Sequence, residues 1–186
     1  MLSDGVVRLR AIEKEDLPRF VAWLNDPEVR SNLELVSPLS MAQEERWFQD
    51  ILERKPSEQP LAIEVLEGGN WNMVGNCALF NIDQHERLAE MGIFVGEKSF
   101  WNRGIGTRAM RLLLRHAFLD LNLNRAFLRV YETNPRGVRC YEKAGLKHEG
   151  RMRQARYRQG KYIDVLLMAA LRDEWLADNK IDGGEL

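Results

Sequence analysis

Between Leu88 and Leu121 the chain runs from an apolar, strand-like stretch through two spaced glycines into an amphipathic helix. This order restricts the fold more than any other feature of the sequence. Leu88 to Val95 reads as a strand, and Trp101-Asn102-Arg103-Gly104-Ile105-Gly106-Thr107 follows shortly after it. From Thr107 onward, Met110, Leu113, Leu114, Ala117, Phe118 and Leu121 recur at helical spacing, while Arg108, Arg111 and Arg115 lie off that stripe. The first amides of a helix have no internal partners, and the helix dipole favours negative charge beside them. Gly104 and Gly106 let an anion approach the backbone, and Arg103 and Arg108 add charge next to it. The segment therefore reads as a phosphate-holding turn, with a tight turn that binds nothing as the alternative. Thr107-Arg108 stands where a nucleotide P-loop needs Lys-Ser or Lys-Thr, and a dinucleotide fingerprint needs a third glycine near the first strand.

Around this segment the elements fall in a definite order. Val6 to Ile12 predicts an opening strand, and Asp16 a helix cap for a run through Phe20, Val21 and Leu24 that stops before Pro27. Ser40 and Gln43 form a capping box for a second helix through Trp47, Phe48 and Ile51. Leu61 to Leu66 and Met73 to Ile82 read as a hairpin turned at Gly68-Gly69-Asn70. Arg125 to Tyr131 is a strand, and a helix follows with Asn134 as cap, Pro135 first and Gly145 closing it. Two strands, Gly150 to Tyr157 and Lys161 to Ala170, turn at Gln159-Gly160, and Asp182 to Leu186 are expected to fray. With no repeat or linker in view, residues 1–186 read as one α/β domain with a core over about 5–177: a mixed sheet with helices on both faces.

Composition narrows the function classes. The formal net charge is -1, which argues against a global attraction to nucleic acid. The tail cations Arg151, Arg153, Arg156, Arg158 and Lys161 alternate along hairpin strands, as a solvated face does. Cys77 and Cys140 form no CxxC pair, and His85, His116 and His148 are scattered, so no metal site is expected. Met1 to Arg10 lack a leader pattern, and the apolar run Val165 to Leu171 is too short for a bilayer. A cytoplasmic protein is expected.

Two blocks carry a resemblance. Phe94 to Leu119, with Trp101-Asn102-Arg103-Gly104-Ile105-Gly106 at its centre, resembles the core motif of the GNAT superfamily of N-acetyltransferases, usually Gln/Arg-x-x-Gly-x-Gly/Ala before a helix. Asn134-Pro135 through Cys140-Tyr141-Glu142-Lys143-Ala144-Gly145-Leu146 looks like the same family's asparagine, tyrosine and helix-ending glycine. The likeness extends from the Arg8-Leu9-Arg10 strand to Ile163-Asp164-Val165, nearest to ribosomal-protein N-terminal alanine acetyltransferases, with polyamine acetyltransferases close by. Trp101 departs from the usual Gln or Arg, and Asn102 from a frequent glycine, but neither change removes backbone amides. The resemblance implies a largely antiparallel central sheet and acetyl-CoA as cosubstrate.

It also implies roles. Ile93, Phe94 and Val95 would pair with the pantetheine arm, and Arg103, Gly104, Ile105, Gly106, Thr107 and Arg108 would surround the pyrophosphate. Asn134 matches a contact to the amide arm and reads equally as a helix cap; Arg136, Arg139 and Lys143 would reach the ribose phosphate or form a charged outer face. Tyr141 matches the general acid, its alternative being a buried helix position beside Val138. Glu90, on the strand face of Leu88, Gly92 and Phe94, is the candidate base, acting through water, or else a salt-bridged strand carboxylate. Direct attack in a ternary complex on a protein N-terminal α-amine is the expected reaction. A polyamine, amino sugar or aminoglycoside amine is the alternative acceptor, and a non-catalytic acyl-CoA-binding module the alternative function. Glu28, Glu34, Glu44 and Glu45 offer charge for a cationic amine, or only a solvated acidic surface. A homodimer fits the family, with Trp71 or Trp175 either at its interface or in the core.

Overall fold

The structure, a computed structural model, describes residues 2–179. Asp182 to Leu186 lie outside them. The strands are β1 (Leu2–Ser3), β2 (Val7–Ala11), β3 (Leu61–Glu67), β4 (Asn70–Asp83), β5 (Leu88–Val95), β6 (Arg125–Tyr131), β7 (Lys147–Arg158) and β8 (Lys161–Leu171). They form one eight-stranded sheet in the order β1-β2-β3-β4-β5-β6-β8-β7, antiparallel throughout except where β5 meets β6. The helices are α1 (Leu17–Asn25), α2 (Pro27–Arg30), α3 (Met41–Leu52), α4 (Ile105–Arg115), α5 (Pro135–Ala144) and α6 (Arg172–Asp178).

Alternation along the strands splits the core in two. Ile63, Val65, Ala89 and Met91 point towards α4 and pack with Met110, Leu113, Leu114 and Phe118. Ala62, Met73 and Phe94 belong to a second cluster with Phe20, Phe48 and Ile51 of α1 and α3. Helices therefore cover both faces, as the sequence predicted. The Gly68-Gly69 hairpin turn has positive φ at both residues, +59° and +81°, the geometry that demands glycine. Ser40 and Gln43 make the reciprocal capping box: the Gln43 amide donates to Ser40 Oγ at 3.2 Å, and the Ser40 amide to Gln43 Oε1 at 2.9 Å.

Four local expectations differ. Asp16 does not cap α1 through its side chain; the carboxylate accepts from the Glu13 amide at 2.9 Å and from Arg10 at 2.7 and 2.9 Å, because a single turn of 3-10 helix precedes α1. The sequence from Asp26 to Pro38 reads as irregular, but Asp26 caps the short α2. Beyond Arg115 the α4 stripe continues as a π-helical turn, His116–Asp120, which keeps Ala117 and Phe118 buried. The tail adds α6, whose Trp175 is buried against Phe118 at 5.6 Å between ring centroids rather than exposed. Trp71 is half-buried beneath the Arg8 guanidinium, 4.3 Å from the ring centroid.

Candidate active site

The sheet creates the site by coming apart. One edge of β5 stays paired with β4, from Gly75↔Val95 to Phe80↔Glu90. Its other edge pairs with β6 only over Leu88–Glu90, opposite Arg125, Ala126 and Phe127. Beyond that point β6 follows β8, from Leu128↔Met168 to Tyr131↔Val165. The Met91–Val95 edge therefore carries backbone donors and acceptors with no strand partner, and such groups call for a ligand or water. The wedge between the strands is a cleft of about 600 Å³, closed at one end by the glycine loop and α5.

The glycine loop leaves the first amides of α4 without an intrahelical partner. Gly104, at φ +77°, caps α4, and Asn102 also adopts positive φ, +59°. The Arg108 amide makes the first helical bond, to Gly104 O at 3.1 Å. The amides of Ile105, Gly106 and Thr107 thus precede any intrahelical acceptor. A Cβ added to Gly106 would lie 3.0 Å from Cys140 Sγ, so the glycine is what lets α4 and α5 approach at the cleft wall. Thr107 Oγ1 reaches the Cys140 carbonyl at 3.4 Å across the same contact.

Ile93, Phe94, Val95, Gly104, Ile105, Gly106, Thr107, Asn134, Lys143, Tyr141 and Glu90 all line this cleft. Arg103 and Arg108 do not. Carboxylates outside the cleft hold both side chains: Arg103 pairs with Glu67 at 2.7 Å and stacks on Phe100, and Arg108 pairs with Asp4 at 2.7 Å. The loop's positive side chains thus lie outside the cleft that its free amides border.

Tyr141 is buried on α5, and desolvation pushes its phenol well above the ordinary tyrosine range, with Cys140 adding to the shift. It keeps its proton at any working pH. Asn134 accepts the Gly137 amide at 2.9 Å as a helix cap while facing the cleft, so its two readings coexist. Glu90 is buried, and both oxygens are engaged by Arg129, Nε to Oε1 at 2.7 Å and Nη2 to Oε2 at 3.0 Å. Donation to the Glu90 carboxylate raises the Arg129 pKa. Cys77 is buried on β4, opposite Ile93 of β5, its thiol pushed up to about 12 by desolvation.

Of the four acidic candidates for the acceptor, only Glu34 reaches the cleft. It pairs with Arg156 at 2.6 Å, and this contact holds its carboxyl below the usual range. Glu28 bonds Lys98 at the surface, Glu45 is exposed, and Glu44 is buried in the first turn of α3, its carboxyl raised to about 7 by desolvation. The tail cations are largely spoken for: Arg151 by Glu132 and Asp164, Arg156 by Glu34, and Arg158 by the Tyr131 hydroxyl at 2.7 Å.

Sequence reasoning missed four cleft residues. Trp101 donates from Nε1 to the Val95 carbonyl at 2.7 Å and carries the Arg136 guanidinium stacked 3.7 Å from its ring centroid. Arg129, Arg156 and Tyr131 line the cleft as well. Strand alternation offered one signal, since Arg129 lies two residues from Phe127, which sits opposite Glu90. Nothing local pointed to Arg156, whose partner is distant in sequence.

Residues 7–147 match the family model described as an acetyltransferase (GNAT) domain. The chain is 27% identical over 186 residues to a spermidine N(1)-acetyltransferase of Escherichia coli, covering 100% of this chain and 97% of that one. It is 34% identical over 104 residues to a putative ribosomal N-acetyltransferase of Bacillus subtilis, covering 56% of each chain. The crystal structure of spermidine N-acetyltransferase from Vibrio cholerae in complex with CoA and spermine superposes with a TM-score of 0.84 at 25% identity, covering 93% of this chain and 99% of that one.

Proposed function

The chain belongs to the GNAT acetyltransferase family and is an acetyl-CoA-dependent N-acetyltransferase; from that premise we propose that its acceptor is a polyamine-type primary amine. The observation that carries the acceptor is the full-length likeness to spermidine N-acetyltransferases, together with two carboxylates, Glu34 and Glu90, in the half of the cleft away from the glycine loop. A cationic amine fits beside carboxylates and gains nothing from an apolar wall. This replaces the protein N-terminus as the leading acceptor. The 34% identity to a putative ribosomal N-acetyltransferase keeps the N-terminal α-amine as the second reading.

Bound acetyl-CoA supplies an activated acetyl thioester. The cleft residues suit it in three places. Free amides of Ile105, Gly106 and Thr107 suit a pyrophosphate, the unpaired edge of Ile93, Phe94 and Val95 an amide-bearing arm, and the Arg136, Arg139 and Lys143 face of α5 a further phosphate. Tyr141, kept protonated by burial, is the proton donor at Oη towards the leaving sulfur. Glu90 does not take a proton directly, because Arg129 occupies both oxygens; it keeps negative charge beside the amine and orders water that accepts the proton. One domain carries both substrates.

The test is CoA release from acetyl-CoA against spermidine, alanine- and serine-start peptides and amino sugars, run beside Tyr141→Phe. Acceleration by spermidine that is lost in the variant supports the proposal. Acceleration by peptides alone installs the second reading, and full turnover by Tyr141→Phe removes that residue as the acid.

A further inference from the structure

The two carboxylates of the acceptor half each meet an arginine, but the two pairs differ in kind. Glu90 is buried and held at both oxygens, so the pair is a fixture. The Glu34 side chain is 68% exposed, and Oε1 alone receives Arg156, from Nη2 at 2.6 Å and Nε at 3.2 Å. An exposed pair of this sort shifts an equilibrium by no more than about fivefold, so another cation can replace the guanidinium.

The backbone around Glu34 permits that exchange. Its segment is pinned on one side by Asn25, which accepts the Leu39 amide at 2.8 Å and donates to the Leu39 carbonyl at 2.7 Å. On the other side the Leu33 amide bonds Arg30 O at 2.9 Å. Among the described residues, 34–38 make no backbone hydrogen bond, so Glu34 can turn between its flanks. Arg156 keeps an anchor of its own, donating from Nη1 to the Ala155 carbonyl at 3.0 Å.

We infer that Arg156 stands in for the distal ammonium of the acceptor, and that Glu34 is the carboxylate that selects amines bearing a second positive charge. This rests on the polyamine reading. The reacting end of the acceptor lies by Glu90, whose arginine stays, and the far end displaces Arg156 from Glu34. Arg156 is thereby an internal competitor that weakens polyamine binding, whereas a monoamine has no distal charge to exchange.

The experiment measures KM for spermidine and for butylamine at saturating acetyl-CoA in the full chain, in Arg156→Gln, in Glu34→Gln and in the double variant. The readout is the ratio of the two KM values. Arg156→Gln is expected to lower the spermidine-to-butylamine ratio by up to about fivefold, and Glu34→Gln to raise it by a similar factor. The double variant should follow Glu34→Gln, since the competitor acts only through that carboxylate. A ratio raised by Arg156→Gln, or one that neither variant moves, overturns the inference while leaving the polyamine reading intact if the wild type still turns over spermidine. A wild type that turns over butylamine but not spermidine removes both.

Discussion

Replacing Arg129 by methionine keeps most of the side-chain bulk on β6 and removes the one side-chain partner that a buried carboxylate has among the described residues. Glu90 sits at 6% exposure with both oxygens bonded to this arginine, at 2.7 and 3.0 Å. Breaking a fully buried pair by removing one partner costs about 3–5 kcal/mol. Here the arginine side chain is 39% exposed and faces the cleft, so water can enter behind it and solvate part of the stranded charge. A loss of about 2 kcal/mol is the expected size. For a chain of this length that lowers Tm by roughly 4–8 °C, readable by calorimetry or by urea unfolding. Glu90→Gln should cost less, since a neutral amide can still accept from Arg129. In Glu90→Gln/Arg129→Met no charge is left buried, so the double variant should regain about 1 kcal/mol or more over Arg129→Met. Additive single losses, or an Arg129→Met protein as stable as wild type, would refute the idea that this pair is a buried structural fixture.

Three further outcomes follow from single contacts. Gly106→Val should fold yet bind CoA at least tenfold more weakly by calorimetry, because even a Cβ would sit 3.0 Å from Cys140 Sγ at the α4–α5 contact beside the free amides; unchanged affinity would place the anion seat elsewhere. Trp175→Phe should lose no more than about 1 kcal/mol, as it removes a buried indole N–H without a partner among the described residues along with part of the ring, whereas Trp175→Ala should lose about 3–5 kcal/mol by urea unfolding. Glu44→Gln should stabilise the protein by about 1–2 kcal/mol at pH 8 and not at pH 4: burial raises the folded carboxyl to about 7, so the folded state holds a proton that the unfolded state releases, and stability falls as pH rises from about 4.5 to 7. Equal urea midpoint shifts at the two pH values would contradict that sign.

Much of this architecture was legible because it is governed by local rules. The Gly68-Gly69 turn, the Ser40–Gln43 box and the Asn134–Pro135 start each announce themselves through backbone chemistry that few residues can supply. The α4 stripe is equally local, and its burial matched in every position through Phe118. What escaped the sequence depends on partners far along the chain. Arg103 and Arg108 were placed on the anion by proximity, but Glu67 and Asp4 reach them first. Arg156 meets Glu34 across 122 positions, and Trp101 and Arg136 meet across the mouth of the cleft. The cleft wall around Glu34 and Glu90 consists largely of such long-range pairs, which is why the lining beside the glycine loop was legible in the sequence and that wall was not.

The splitting of β5 from β6 has causes that can be named residue by residue. On the β4 side, Gly75 permits a very close approach, since a Cβ there would lie 2.0 Å from the Phe94 carbonyl oxygen; β5 is held close to β4 at its far end, well beyond the point where it leaves β6. At the end of β5, a Cβ on Gly96 would lie 2.3 Å from the Trp23 ring, so α1 presses against the strand from the other cluster. At the point of divergence, Glu90 and Arg129 bridge the two strands with side chains just where the backbone ladder stops. The ion pair is costly to bury, and it sets a carboxylate and a guanidinium side by side on the wall of the cleft that opens there. In this sheet the two side chains that bridge the strands where their ladder ends are the ones proposed to lie beside the amine.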